Sequence, residues 1–446
     1  MRRTPALPVL LAGTLALSLG PALALSAASE ARAGTPTCHD RAATVVGTPG
    51  GTVRGTDGPD VVVTNGAART ATGAGDDLVC VTGGSRKEDA DVQTDDGDDV
   101  IDGSAAGTGT TRAYLGEGDD SYTGFPGPDV VFAGDPGEGH AGEGSDVVTT
   151  GAGADVVVTG GTSAAPDHDS IDVGAGRDGV RVEGPVDPAL SMTGGAGRDE
   201  LTLDRGSLRQ ALTIDNAEGR ATADDVAVMT WSSMEDFRLT PFPRWEAPSF
   251  IGGDGPERVW TSVPLAEARM GGGDDRVDQD VWEGPLLADA FFDGGRGEDT
   301  FVLMAGSGDQ AERVVYDRRN GSMLFERDRQ HHSDLQVDGF DRFRWSAVTL
   351  EVHGTARPDH FEWLGCHGVV AGRGGDDVLR LRSDEDAGCG TYGADADLVT
   401  RGGPGDDRLL GNFLPDILIG GPGHDVTRGA GGQDRCVAET EVDCER

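Results

Sequence analysis

Positive charge is what this 446-residue chain has least of: 37 Lys and Arg stand against 78 Asp and Glu, a formal net charge of −41, and Lys87 is the only lysine. A nucleic-acid partner needs a basic patch to neutralise its phosphates, so none is expected. Aromatic residues make up only 5% of the chain, which excludes a conventional aromatic-rich core of this length. Long apolar runs are confined to the amino terminus, and no later run approaches the ~20 residues of a membrane span. Nucleophile elbows (G-x-S-x-G), H-E-x-x-H zinc helices, phosphate-binding loops, complete EF-hand loops and long amphipathic helices are also missing.

The apolar run, from Leu7 to Leu25, follows Arg2 and Arg3 and leads to Ala31-Arg32-Ala33, a small-x-small cleavage site before Gly34. Pro8, Gly13, Gly20 and Pro21 interrupt it, so it reads as a signal peptide over residues 1–33 rather than an anchor. The expected product is secreted and extracellular, with no membrane span after cleavage. Six cysteines, an even number in an exported chain, favour disulfides over thiolate metal ligands. Several connectivities are open; their clustering favours the local pairs Cys38–Cys80, Cys366–Cys389 and Cys436–Cys444.

Glycine, by contrast, is abundant at 72 residues, and it is spaced. Residues 402–437 divide into GGPGDDRLL, GNFLPDILI, GGPGHDVTR and GAGGQDRCV, which set Asp407, Asp416, Asp425 and Asp434 nine residues apart. The unit is glycine-rich over its first positions, acidic at the sixth and usually aliphatic or aromatic at the eighth. Copies recur upstream: GTDGPDVVV with Asp60, TGAGDDLVC with Asp77 and TDDGDDVID with Asp99. LGEGDDSYT runs into GFPGPDVVF, carrying Asp120 and Asp129, and AGEGSDVVT runs into TGAGADVVV, carrying Asp146 and Asp155. Further copies carry Asp199, Asp275, Asp299, Asp359 and Asp377, with Glu257 as an acidic substitute.

A larger duplication overlies the small one, since GGAGRDELTL at Gly194 and GGRGEDTFVL at Gly294 lie 100 residues apart. Met234-Glu235-Asp236-Phe237-Arg238 then corresponds to Phe340-Asp341-Arg342-Phe343-Arg344. Between these marks, segments 203–250 and 304–350 hold short alternating runs such as Leu212-Thr213-Ile214 and Val348–Val352, which predict strands, and Arg319-Asn320-Gly321-Ser322 predicts a hairpin turn. The chain thus divides into the signal peptide (1–33), an amino-terminal stretch of degenerate repeats (34–202), a first strand-rich unit with repeat turns (203–293), a second (294–401), and carboxyl-terminal repeats with a disulfide cap (402–446). The fold class expected is all-β.

Glycines let the backbone take positive φ and expose carbonyl oxygens inside a turn too crowded for Cβ atoms, and the sixth-position Asp adds a carboxylate. Calcium takes 6 to 8 oxygens at roughly 2.3–2.6 Å, more than one turn supplies but within reach of two stacked turns. About ten ions would offset roughly 20 negative charges, so binding and folding are expected to be one event.

GGPGDDRLL and its neighbours resemble the haemolysin-type calcium-binding (RTX) nonapeptide repeat. The resemblance implies a right-handed parallel β-roll, or β-solenoid, in which two nonapeptides make one turn and calcium sits between equivalent loops one turn apart. It pairs Asp407 with Asp425, Asp416 with Asp434, and Asp359 with Asp377 as ligands, with Asp275, Asp299, Asp199, Asp120, Asp129, Asp146, Asp155, Asp77, Asp60 and Asp99 in the same role. The end of the chain also resembles repeat proteins of high-GC bacteria, in which DRCVAETEVDC would be a disulfide-closed cap.

Two functions follow. The favoured one is a secreted, non-catalytic calcium-binding scaffold or adhesion component, with an extracellular protein or glycan partner that the sequence does not identify. The alternative is a secreted hydrolase with its site in 203–250 or 304–350, but each segment is short for an independent catalytic domain and each resembles the other. The most catalytic-looking run, His331-His332-Ser333-Asp334, reads as a charged loop. Paired acids such as Asp76-Asp77 and Asp406-Asp407 recur with the repeat and are not read as glycosidase dyads.

Overall fold

A sixth-position Asp is followed by a strand of about three residues whose middle side chain points inward, as alternation requires. Ser121–Thr123, Val147–Thr149 and Ser170–Asp172 bury Tyr122, Val148 and Ile171 and leave their flanks more exposed. Such a strand is too short to stand alone, and the structure stacks it on its equivalent one turn away. The computed structural model describes residues 35–83, 89–107, 109–133, 144–160, 168–184, 188–204, 211–240, 247–281, 286–305, 313–328, 331–382 and 397–444. The amino-terminal segment read as a signal peptide lies outside them.

Among the described residues, two long sheets face each other, one of 18 strands and one of 22. In the first, every pairing is parallel and the ladder runs from Thr52–Arg54 to Thr440–Val442 without returning on itself, so the sheet is an open ribbon. At ~4.8 Å per step, its length is on the order of 80 Å. Consecutive nonapeptides alternate between the sheets: Arg408–Leu410 pairs with Val426–Arg428 in one, and Ile417–Ile419 pairs with Arg435–Val437 in the other. Each nonapeptide is therefore a half-turn, and the fold is a parallel β-solenoid.

Segments 203–250 and 304–350 do not leave this scaffold. In each, the second sheet takes in an antiparallel meander in place of one strand. Thr213–Asp215, Arg220–Ala223 and Val226–Ser232 form the first meander. Its last strand pairs parallel with Ser191–Thr193, and its first pairs parallel with Ser249–Ile251. Arg313–Asp317, Ser322–Asp328 and His331–Asp338 form the second in the same way. Gly321, at φ +68°, ends the tight turn expected between Asp317 and Ser322.

The main core is a strip between the sheets, with a second small cluster of Cys38, Val61, Val63, Leu78 and Cys80 at the amino-terminal disulfide. It is narrow and aliphatic near the amino terminus, with Val53, Val62, Val79 and Val92, and it widens where the meanders enter. Eleven of the twelve largest fully buried side chains lie between Phe237 and Trp363, so the few aromatics are concentrated where two sheets must be held further apart. Phe343 stacks on Trp345 at 5.3 Å between ring centroids, and Phe361 meets Trp345 edge-on at 5.2 Å. Disulfides Cys38–Cys80 and Cys436–Cys444 staple the two ends. Cys366 is also disulfide-bonded, and Cys389, its expected partner, lies outside the described residues.

Trp345 is fully buried in this wide section. Trp345→Ala should therefore cost about 3–5 kcal/mol in urea unfolding of the calcium-loaded protein. A loss under ~1 kcal/mol would show that the section is not packed as described.

Candidate metal centre

The acidic residues of the repeat are joined turn to turn by one recurring bond. The backbone N–H of each sixth-position residue donates to a carboxylate oxygen of its equivalent one turn later. On the second sheet the run is Asp60 to Asp77, Asp99, Asp120, Asp146 and Asp169, with N···O distances of 2.7–2.9 Å. On the first sheet, Asp129 leads through Asp155, Asp178 and Asp199 to Glu235. Glu257 leads through Asp275 and Asp299 to Asp341. Asp359 leads through Asp377, Asp407 and Asp425 to Glu439. Back on the second sheet, Asp416 leads to Asp434 at 3.0 Å.

These residues are at most about 5% exposed where they begin or continue a run, although they are ionisable. Within the ladder, Oδ1 takes the N–H. The other oxygen, Oδ2, is buried without a hydrogen-bond partner at Asp77, Asp99, Asp120, Asp155, Asp178, Asp199, Asp275, Asp299, Asp377, Asp407 and Asp425. At Asp77, Asp99 and Asp155 a threonine hydroxyl lies nearby, but Thr72, Thr94 and Thr150 donate it to a carbonyl of the next turn. A buried carboxylate oxygen with no donor costs free energy unless something neutralises it. Eleven in register are a repeated demand for a cation.

The glycines are needed for the same stacking. A Cβ on Gly118 would overlap the carbonyl oxygen of Gly97 one turn back; one on Gly405 would overlap that of Gly375. Both residues also hold φ near +140°, at +133° and +148°. Loops so closely stacked bring main-chain oxygens and the orphaned Oδ2 atoms together, the hard-oxygen donor set that calcium takes. Calcium, when bound, would supply the positive charge; the sixth-position aspartates and loop carbonyls of adjacent turns are the groups able to hold it.

Burial raises several of these carboxyls, with neighbouring carboxylates adding to it. Asp99, Asp275 and Asp377 are pushed up to about 8, and Asp120 to about 7. The fifth-position acids form a second, exposed ladder of opposite polarity. Asp119 N–H donates back to Asp98 at 3.0 Å, Asp406 N–H to Asp376 at 2.9 Å and His424 N–H to Asp406 at 2.9 Å. The doubled acids are thus two structural ladders side by side.

Every sixth-position residue expected from the sequence lies on one of the two rows. Asp169, Asp178, Glu235, Asp341 and Glu439 extend those rows and were not among the expected ligands. Asp178 was legible as Gly174-Ala-Gly-Arg-Asp, whereas Glu235, Asp341 and Glu439 sit outside any glycine loop and only the stacking reveals them.

The other sequence clusters do not assemble. His332 and Asp334 point outward from their strand while Ser333 points inward, its hydroxyl donating to the Leu286 carbonyl at 2.5 Å. His353 and His367 lie in strands of the second sheet and His360 in a strand of the first. His39, Asp102 and Cys80 lie close together, but Cys80 is held in a disulfide, which leaves a His39–Asp102 hydrogen bond of 2.8 Å. No helix among the described residues is long and apolar enough to cross a membrane.

Residues 140–162 and 401–436 match the family model of the RTX calcium-binding nonapeptide repeat, in four copies. The chain therefore carries RTX-type repeats, and the geometry extends their turns well beyond the matched residues. No curated protein shows a significant match to the chain.

Carboxyls raised in the fold favour the protonated, metal-free folded state. Their contribution is complete below the unfolded value of about 4 and is lost as pH rises through the folded values of 6 to 8. Chelator-treated protein should consequently melt at a lower temperature at pH 8 than at pH 5, followed by circular dichroism, and saturating calcium should abolish the difference. A chelated protein more stable at pH 8 would contradict this electrostatic account.

Proposed function

We propose that this is a secreted, non-catalytic scaffold that folds around calcium ions held between its stacked turns and presents a rigid, acidic, rod-like surface outside the cell. The observation that carries this reading is the register of eleven buried, donorless Oδ2 atoms along the two rows. An enzyme's metal site would be single and shaped around a substrate, whereas these positions are repeated and structural. The separation of Ser333 from the outward-facing His332 and Asp334 also speaks against the catalytic alternative. An adhesive or spacer role suits a solenoid whose stability is supplied by extracellular calcium, and the disulfides suit the same compartment.

Isothermal calorimetry on residues 34–446 tests the binding. Calcium should bind at several sites with a simultaneous gain of β-structure, and magnesium, which demands tighter octahedral geometry and keeps its waters, should not reproduce the gain. Equal folding with either ion, or with neither, would overturn the proposal.

A further inference from the structure

Not all turns of the ladder are built alike, and the difference tracks one residue. Five turns carry proline at the fifth position, immediately before the acid: Pro59, Pro128, Pro256, Pro358 and Pro415. In these five the carboxylate folds back onto its own turn and accepts the N–H of the second residue. Asp60 accepts from Thr56 at 2.7 Å, Asp129 from Phe125 at 3.3 Å and Glu257 from Gly253 at 2.9 Å. Asp359 accepts from Thr355 at 2.6 Å and Asp416 from Asn412 at 2.8 Å. At Asp60 and Asp359 the other oxygen is met by the Thr44 hydroxyl and the Arg318 guanidinium, whereas Oδ1 of Asp129 and Oε2 of Glu257 are buried without a hydrogen-bond partner.

The backbone differs in step. In all eleven turns with an orphaned Oδ2, the second residue holds φ between +67° and +128°, even where it is Asp95 or Arg373. In the five proline turns, neither the second nor the fourth residue has positive φ. Proline restricts the residue before it to extended conformations, and with the second residue out of the left-handed region its N–H turns toward the carboxylate. Glycine is then no longer required there, and Arg357 and Leu414 occupy the fourth position.

The five proline turns also share a place. Among the described residues the ladder forms five runs, and their first members are Asp60, Asp129, Glu257, Asp359 and Asp416. A first turn has no equivalent loop stacked before it. The space bears this out: a Cβ on Gly58 or Gly255 would meet nothing within 4 Å, while one on Gly75 or Gly273, one turn later, would strike the backbone of Gly58 or Gly255. Interior turns donate the fifth-residue N–H back to the preceding turn, as Asp98 does to Asp76 and Asp119 to Asp98. A first turn has no fifth-position carboxylate behind it to receive that N–H, and proline has none to offer.

We propose that the Gly-x-x-x-Pro-Asp/Glu turn is a self-closed starting cap, which begins each stack without binding an ion, and that ions load only at the glycine turns that follow it. This rests on the calcium reading above. It divides the solenoid into five separately capped ion stacks, and it removes Asp60, Asp129, Asp359 and Asp416 from the set of ligands that the resemblance implies.

The test is anomalous diffraction from crystals grown with terbium(III) in place of calcium, together with calcium counted by elemental mass spectrometry on the full mature chain. Terbium peaks are expected beside Oδ2 of Asp99, Asp120, Asp275, Asp299, Asp377 and Asp407, and none beside the five proline-turn carboxylates. Asp416→Asn, whose amide oxygen can still accept the Asn412 N–H, should leave the calcium count unchanged, whereas Asp377→Asn should lower it by one or more. Terbium in a proline turn, or equal calcium loss in the two variants, overturns the cap while leaving calcium binding intact. No terbium at any turn overturns both.

Discussion

One hydrogen bond, repeated, sets this structure: a main-chain N–H of one turn to the carboxylate of the acid at the same place in the next. It fixes the vertical register of the turns, because the donor and acceptor residues are equivalent and each bond is satisfied only if the next turn stacks in line. It also decides the electrostatics. The acceptor along each row is a carboxylate, buried at the sheet's leading edge in the interior of the row, and at eleven positions its second oxygen is left without a donor. The main-chain geometry that makes the solenoid regular is thus the same geometry that concentrates negative charge in rows.

That bond also explains how the chain tolerates irregular spacing. Successive ladder members are 17, 22, 21, 26 and 23 residues apart from Asp60 to Asp169, yet strands on either side remain paired without slippage. Additional residues are accommodated outside the paired strands. The two meanders are the largest additions, and each rejoins the second sheet in parallel register, so a widened core can be inserted without breaking the rod. Aromatic residues gather where that widening creates space, as Phe343, Trp345 and Phe361 do.

Much of this was legible in the sequence because the repeat encodes both periods at once. Glycine loops, a sixth-position acid and an inward eighth residue specify a half-turn, and the nonapeptides of residues 402–437 alternate between sheets as that reading requires. The hairpin at Arg319–Ser322 was equally visible. Sequence spacing could not show which carboxylates are left open: Asp359 takes the Thr355 N–H and the Arg318 guanidinium, whereas Oδ2 of Asp377 has no donor. Nor could it reveal Glu235, Asp341 and Glu439, which join the ladder through stacking and carry no motif. Proline was present at five acid turns all along; its meaning required the φ angles and the empty space beside Gly58 and Gly255.

The central claim is that rows of buried carboxylates make fold and cation inseparable at neutral pH. Hydrogen exchange at the ladder amides of Asp77, Asp99, Asp120 and Asp275 measures it most directly, with calcium present and after its removal. The account predicts strong protection with calcium and its collapse, along both rows, once the ion is withdrawn. Ladder amides that remain equally protected in chelator would contradict it and leave the carboxylate rows as ordinary structural hydrogen bonds.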